Sequence, residues 1–202
     1  MMEFTYKRAD ELDFDPRLQM GMIFAEGFYQ WLQYFSKDKE KLARGAAHFF
    51  DLSQFFVALH GDEIAAIVAC TDGRKPITLD RRILCKELGF FRGRLAYTML
   101  KKNVIENAYP FPLNGDMGSI EFVVSSTKYR RMGSTHGLLT YVMETMPYKD
   151  YVLEVVDTNT GAIALYEKLG FTEIQRIAEK HEKRSGFAYK IYMKRCGGEG
   201  GA

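Results

Sequence analysis

The chain has 202 residues, 47 % of them hydrophobic and 27 % charged, enough for a single sizeable core. Its 28 basic and 26 acidic residues leave a formal charge of +2, which excludes a general attraction to nucleic acid or membranes and confines any basic surface to a local patch. Cys70, Cys85 and Cys196 stand far apart, with no Cys-x-x-Cys pair and no histidines at metal-ligand spacing, so they read as reduced, mostly buried thiols of a cytoplasmic protein.

In chain order, Met1 to Asp10 is charged and alternating, and no segment approaches the length of a membrane span. Phe4, Tyr6 and Arg8 within it predict a short first strand, closed by the acidic stretch Asp10 to Asp15. Phe24, Phe28, Trp31 or Leu32, and Phe35 recur at helical spacing, so they predict one long amphipathic helix whose stripe is core. Tyr29 and Tyr34 lie off that stripe and are the ligand-facing candidates of this helix. The apolar runs 55–59 and 64–69, separated by His60-Gly61-Asp62-Glu63, predict an antiparallel hairpin.

A long interruption follows from Arg74 to Gly118, with helices expected around 83–88 and 93–108. Connections of this length are usually lids, binding loops or partner surfaces. Ile120 to Val124 is the next strand, and Leu138, Leu139, Val142 and Met146 mark a helix face that Pro147 closes. A buried strand over 151–156, a helix over 160–169 and strands over 171–177 and 187–193 complete a mixed α/β order, with Gly197 to Ala202 as a flexible tail.

Two segments carry the functional reading. The strand Ile120-Glu121-Phe122-Val123-Val124 leads to Arg130-Arg131-Met132-Gly133-Ser134-Thr135, which opens a helix; downstream stands Asn159-Thr160-Gly161-Ala162-Ile163-Ala164-Leu165-Tyr166-Glu167-Lys168-Leu169-Gly170-Phe171. A turn bearing glycine and cations at a helix start aims free N–H groups and the positive helix end at one point, which suits a pyrophosphate. Lys128 extends this basic cluster. In this order and spacing the two segments resemble the GNAT superfamily of acyl-CoA-dependent N-acyltransferases.

The resemblance implies an α/β (α+β) fold, a mixed and largely antiparallel sheet flanked by helices, with the insertion between the third and fourth strands. It implies one acetyltransferase domain over residues 1–196 that uses acetyl-CoA as cosubstrate and no metal. Arg130, Arg131, Met132, Gly133, Ser134 and Thr135 map onto the pyrophosphate loop, the main chain of Phe122, Val123 and Val124 onto the pantetheine edge, and Asn159 onto an asparagine beside the pantetheine. Thr135 departs from the family's Gly or Ala, which bears on affinity. Tyr166 matches a tyrosine that serves the departing sulfur; packing between helix and sheet is the other reading. Glu121 matches a general base, against a solvated or salt-bridged strand residue, and Glu154 shares that ambiguity with less support. Asn159 is equally an ordinary helix N-cap.

No cysteine lies near these segments, so direct transfer to a primary amine in a ternary complex is expected over an acyl-cysteine route. A non-catalytic acyl-CoA-binding regulatory domain is the alternative. A nucleotide triphosphatase or nucleic-acid binder is disfavoured by the missing Gly-x-x-x-x-Gly-Lys-Ser/Thr loop and the balanced charge. The expected partners are a small-molecule or peptide amine, with no nucleic acid or membrane and with a homodimer left open. The acceptor itself is not legible.

Overall fold

The computed structural model describes residues 2–197. Seven strands form one sheet in the order β1-β2-β3-β4-β5-β7-β6. β1 (Thr5–Arg8), β2 (Phe55–His60), β3 (Glu63–Thr71) and β4 (Met117–Ser125) pair antiparallel in turn. β5 (Asp150–Val156) joins β4 in parallel; β7 (Tyr189–Arg195) and the edge strand β6 (Thr172–Ala178) return to antiparallel pairing. This is the mixed, largely antiparallel sheet with an insertion between the third and fourth strands that the sequence led us to expect.

Burial explains why β2 and β3 read as continuous apolar runs, because both faces of the sheet are covered. Phe55, Val57 and Leu59 enter a core with α1 (Arg17–Gly27), α2 (Tyr29–Leu32), α3 (Lys39–Ala47), α4 (Arg81–Leu88) and α5 (Phe90–Leu100). Phe56 and Ala58 point to the opposite face, where they meet α6 (Ser134–Thr145) and α7 (Thr160–Lys168). A single turn, α8 (Glu182–Ser185), lies in the β6–β7 connection.

The long helix expected over the Phe24 to Phe35 stripe is two helices, broken at Phe28. α1 stops at Gly27, where a Cβ would overlap the Val124 side chain, so the helix end sits tightly on β4. The chain then restarts with Trp31 and Leu32 N–H groups donating to the Phe28 carbonyl. α3 carried no sequence signal that we read, because its buried face consists of Leu42 and the small Ala43 and Ala46. Asp38 starts it by accepting from the Glu40 and Lys41 amides at 3.0 and 3.2 Å.

The expectation of mostly buried thiols holds for Cys70 only; Cys85 is half-buried and Cys196 exposed. Cys196 follows the last strand, beyond the reach of either core. The tail expectation, from residue 198 on, lies outside the described residues. Among the described residues, no helix is long and apolar enough to cross a membrane.

The parallel β4–β5 contact is closely packed at Gly118. A Cβ on Gly118 would stand 2.6 Å from the Tyr148 ring and 2.9 Å from that of Tyr151, and the Tyr151 hydroxyl is tied at 3.2 Å to the carbonyls of Met143 and Met146. Gly118→Ala is therefore expected to lower unfolding free energy by about 1–3 kcal/mol, as overpacked sites do. Urea denaturation measures it, and a wild-type midpoint would show that the tyrosines yield freely.

Candidate active site

β4 and β5 run side by side only from Met117↔Asp150 to Ile120↔Leu153, although β4 continues to Ser125 and β5 to Val156. Beyond that point the two strands part. A bulge in β4 accompanies the parting: between Ala69↔Glu121 and Ile67↔Val124, Phe122 and Val123 together oppose Val68. Phe122 takes φ of +53°, a left-handed conformation a bulky residue holds only when its surroundings fix it. Its ring is fixed among Phe24, Phe28 and Phe55, at centroid distances of 6.0, 6.4 and 6.0 Å. The result is a cleft of about 270 Å³ in the fork, in which Glu121, Phe122 and Val123 face Glu154, Val155 and Val156. The main chain of β4 past Ile120 has no β5 partner, which leaves backbone groups for an extended ligand to pair with.

At the far end of β4 the chain makes one turn of 3₁₀ helix, Thr127–Tyr129, then enters α6. Two carboxylates hold this turn. Glu26 at the end of α1 accepts from the Thr127 hydroxyl at 3.1 Å, and Glu63 accepts from the buried Tyr129 hydroxyl at 2.8 Å and from Lys128. Lys128 thus leaves the phosphate cluster expected of it and serves as a tether to the β2–β3 hairpin. Arg130 and Arg131 are exposed and form no ion pair among the described residues, and Met132 is 44 % exposed.

Arg131 and Gly133 take positive φ, +62° and +89°, and turn the chain so that the first amides of α6 point outward. The first carbonyl behind the helix is reached by Gly137, donating to Gly133 at 3.0 Å, so the amides of Ser134, Thr135 and His136 have no acceptor among the described residues. A Cβ on Gly133 would meet nothing within 4 Å, so the backbone conformation, not packing, demands glycine. Ser134 is buried and Thr135 half-buried at this entrance. Free amides, the positive helix end and two unpaired guanidinium groups fit an anionic pyrophosphate.

Glu121 sits at the fork in a network the sequence did not reveal. Its carboxylate accepts from Ser119 Oγ at 3.1 Å and stands 3.6 Å from Lys75 Nζ; Ser119 also bonds the Tyr109 hydroxyl at 2.9 Å. The side chain is 14 % exposed. Burial raises the Glu121 carboxyl above the ordinary glutamate range, while Lys75 and the Ser119 hydrogen bond pull it back. Across the cleft Glu154 accepts from Tyr192 at 2.8 Å and pairs with Lys190 at 2.9 Å. Both carboxylates have lysine partners, so the salt-bridged reading holds for each, and for Glu121 a position facing the cleft holds as well.

Tyr166 on α7 packs between helix and sheet and also reaches the cleft. The residue is 5 % exposed and its ring lies 6.0 Å from that of Phe171, yet it lines the cleft opposite β4. Its hydroxyl has no hydrogen-bond partner among the described residues, and burial alone raises its pKa above the usual phenol value. Asn159 caps α7 by accepting from the Ala162 amide at 3.3 Å and lines the same cleft. Val124 is buried and turned away under Gly27.

Of the aromatic stripe, Phe28 and Trp31 turn out to line the cleft, so that part of it is not plain core. Trp31 donates its indole N–H to the Ser185 carbonyl at 3.2 Å, which joins α2 to the β6–β7 connection. Tyr29 donates to the Lys37 carbonyl at 3.2 Å, and Tyr34 is 73 % exposed, so neither faces the cleft. Lys75, Asn103, Val104, Asn107 and Tyr109 form the remaining wall, all from the insertion. The alternation of Ser119 with Glu121 on one strand face was the one signal that links Ser119 to the site; nothing local marks its bond to Tyr109.

In fold the chain is of the N-acetyltransferase class. It aligns with the ribosomal-protein-S18-alanine N-acetyltransferase from Escherichia coli at TM-score 0.57 and 16 % identity, covering 98 % of this chain and 97 % of that one. An N-acetyltransferase from Staphylococcus aureus Mu50 aligns at 0.59 and 14 % over 94 % and 99 % of the chains, and PH1933 from Pyrococcus horikoshii OT3 at 0.59 and 18 % over 96 % and 98 %. No curated protein matches the sequence. The sequence model of the Acetyltransferase (GNAT) family matches residues 20–171, about three quarters of the chain. The chain belongs to this family and is a GNAT-type acetyltransferase.

The Glu121 network makes a prediction with a definite sign. Lys75→Met removes the main influence holding the Glu121 carboxyl down, so that group titrates at higher pH than in the wild type, and Ser119→Ala moves it the same way. Carboxyl carbon shifts of Glu121 followed by NMR across acidic to neutral pH read both. An unmoved titration in Lys75→Met would remove the ion pair from the site.

Proposed function

We propose that this enzyme moves an acetyl group from acetyl-CoA directly to a primary amine, with both substrates held together in the fork between β4 and β5. The observation that carries the reading is the fork itself, which sets Glu121 and Tyr166 on walls of one cleft lined by the same strand, β4, whose chain leads on to the free amides of α6. Acetyl-CoA supplies an acetyl group activated as a thioester.

Arg130, Arg131 and the amides of Ser134, Thr135 and His136 bind the pyrophosphate, with Met132 and Gly133 shaping the turn. The open main chain of Phe122, Val123 and Val124 pairs with the pantetheine arm, and Asn159 flanks it. Glu121 takes the proton that the amine nitrogen gives up as the new C–N bond forms. Tyr166 gives its proton to the sulfur as the C–S bond breaks, and the proton from Glu121 restores the balance through solvent. Burial keeps the Tyr166 phenol protonated through the neutral range, as a donor must be. The amine enters along the insertion wall of Lys75, Asn107 and Tyr109.

A panel of amines assayed by free-thiol release tests the reaction and identifies the acceptor. With the best acceptor, Tyr166→Phe keeps the ring and loses the proton, so kcat is expected to fall about 10²-fold with acetyl-CoA affinity nearly unchanged. Full turnover in Tyr166→Phe would leave the residue only its packing role, and no turnover of any amine by the wild type would favour a non-catalytic acyl-CoA-binding domain.

Calorimetry with acetyl-CoA tests the cradle separately. Gly133→Trp places a bulky Cβ-bearing residue at φ of +89° beside the free amides, so binding is expected to be lost in a folded protein. Wild-type affinity in that variant would put the pyrophosphate elsewhere.

A further inference from the structure

The near-balanced charge of the whole chain conceals a segregation. Residues 81–105, which form α4, α5 and the π-helical turn Lys101–Ile105, carry seven basic residues and one acidic one, while the rest of the chain is net negative. The single carboxylate, Glu87, is bound by Arg44 at 2.9 Å. Arg81, Arg82, Lys86, Arg92 and Lys102 are exposed and form no ion pair among the described residues.

The same hairpin exposes its apolar residues. Phe90, Phe91 and Leu95 are 60, 83 and 52 % exposed, at the junction where Gly89 turns α4 into α5. A Cβ on Gly89 would meet nothing within 4 Å, and no residue of 81–102 lines the cleft, so this junction is an exposed tip of the hairpin set apart from the site. The tip is held firmly from behind. Leu84 and Ala96 are buried, and Gly93 lies so close to Cys85 that a Cβ there would overlap the Cys85 backbone.

We propose that the tip of the α4–α5 hairpin docks on an anionic lipid bilayer, with Phe90, Phe91 and Leu95 entering the headgroup boundary and Lys86, Arg92 and Arg94 meeting the lipid charges. Exposed aromatic and aliphatic side chains beside cations on one helix are what such an interface selects. Single-stranded nucleic acid also pairs cations with aromatic rings, but it stacks on open ring faces. Here Phe90 and Phe91 stand edge to face at 84° and 5.3 Å, and Arg94 lies 5.6 Å over the Phe90 ring, so the two rings offer no parallel platform for successive bases. A second copy of the chain would bring the same cations against these, which like-charge repulsion opposes.

Sedimentation of the full chain with phosphatidylcholine vesicles, with and without phosphatidylserine, tests the docking. Pelleting is expected only with the anionic vesicles and is expected to weaken as salt is raised. The double variant Phe90→Ala/Phe91→Ala and the double variant Arg92→Glu/Arg94→Glu are each expected to lose about tenfold or more in vesicle affinity while keeping acetyl-CoA affinity, since none of these residues lines the cleft. Phe91→Trp reports insertion through a blue shift that the wild type, with its lone Trp31, does not show on the same vesicles. No pelleting of the wild type, equal pelleting of the Phe90→Ala/Phe91→Ala protein, no blue shift, or tighter binding to single-stranded RNA than to anionic vesicles would each overturn the proposal.

Discussion

The site depends on a parallel pair of strands that stops pairing halfway. Four register positions join β4 to β5, and then each strand continues for three or more residues paired only on its other side, β4 with β3 and β5 with β7. An unpaired main chain inside a protein is costly unless something else satisfies it, so a fork of this kind persists only where it is propped open and a ligand or solvent can reach it. The props are visible. Phe122 wedges into the aromatic cluster of α1 and α2 at positive φ, and Tyr166 fills the opposite side from α7. Both props are aromatic side chains whose burial stabilises the open geometry, so the cleft is bought with packing against the two separate cores.

The insertion completes what the fork begins. α4 and α5 anchor to the α1–α3 side through Leu84 and Ala96, and the chain leaving α5 then runs along the mouth of the cleft. Tyr109 closes the circuit by bonding Ser119 on β4, which in turn bonds Glu121. A segment that looks in the sequence like an appendage is therefore connected by hydrogen bonds to the Glu121 carboxylate at the fork. Under the proposed reaction, acceptor choice and base positioning would share this segment.

Much of this was legible in the sequence and some of it was not, for physical reasons. The strand–turn–helix over 120–145 was readable because helix starts, glycine turns and apolar periodicity are local, and so were the hairpin and the α7 segment. The break at Phe28 had no local signal, and the close contact at the helix end, Gly27 against Val124, joins residues nearly a hundred positions apart. The same distance hid the role of Phe28 and Trp31, which carry core periodicity yet end at a cleft wall. Lys128 looked like part of a phosphate cluster from its neighbours in sequence, and only the approach of Glu63 from the hairpin reassigns it. Tyr29 and Tyr34 failed as ligand-facing residues because the helix expected to present them is interrupted one residue before Tyr29.

The electrostatics of the cleft carry the argument one step further. Two carboxylates facing one narrow space repel each other, and each has a lysine to offset that: Lys75 for Glu121 and Lys190 for Glu154. The two pairs are not equivalent. Glu154 holds its lysine at 2.9 Å and a tyrosine at 2.8 Å, two close charge-assisted contacts. Glu121 holds its lysine at the looser distance of 3.6 Å, and burial pushes its carboxyl toward the protonated form. That displacement is toward the range in which a carboxyl exchanges protons near neutral pH, the property the proposed base requires. The two carboxylates thus differ in how they are held: Glu154 is fixed in the wall by two short contacts, and Glu121 stands at the fork with a longer ion pair and one hydroxyl donor.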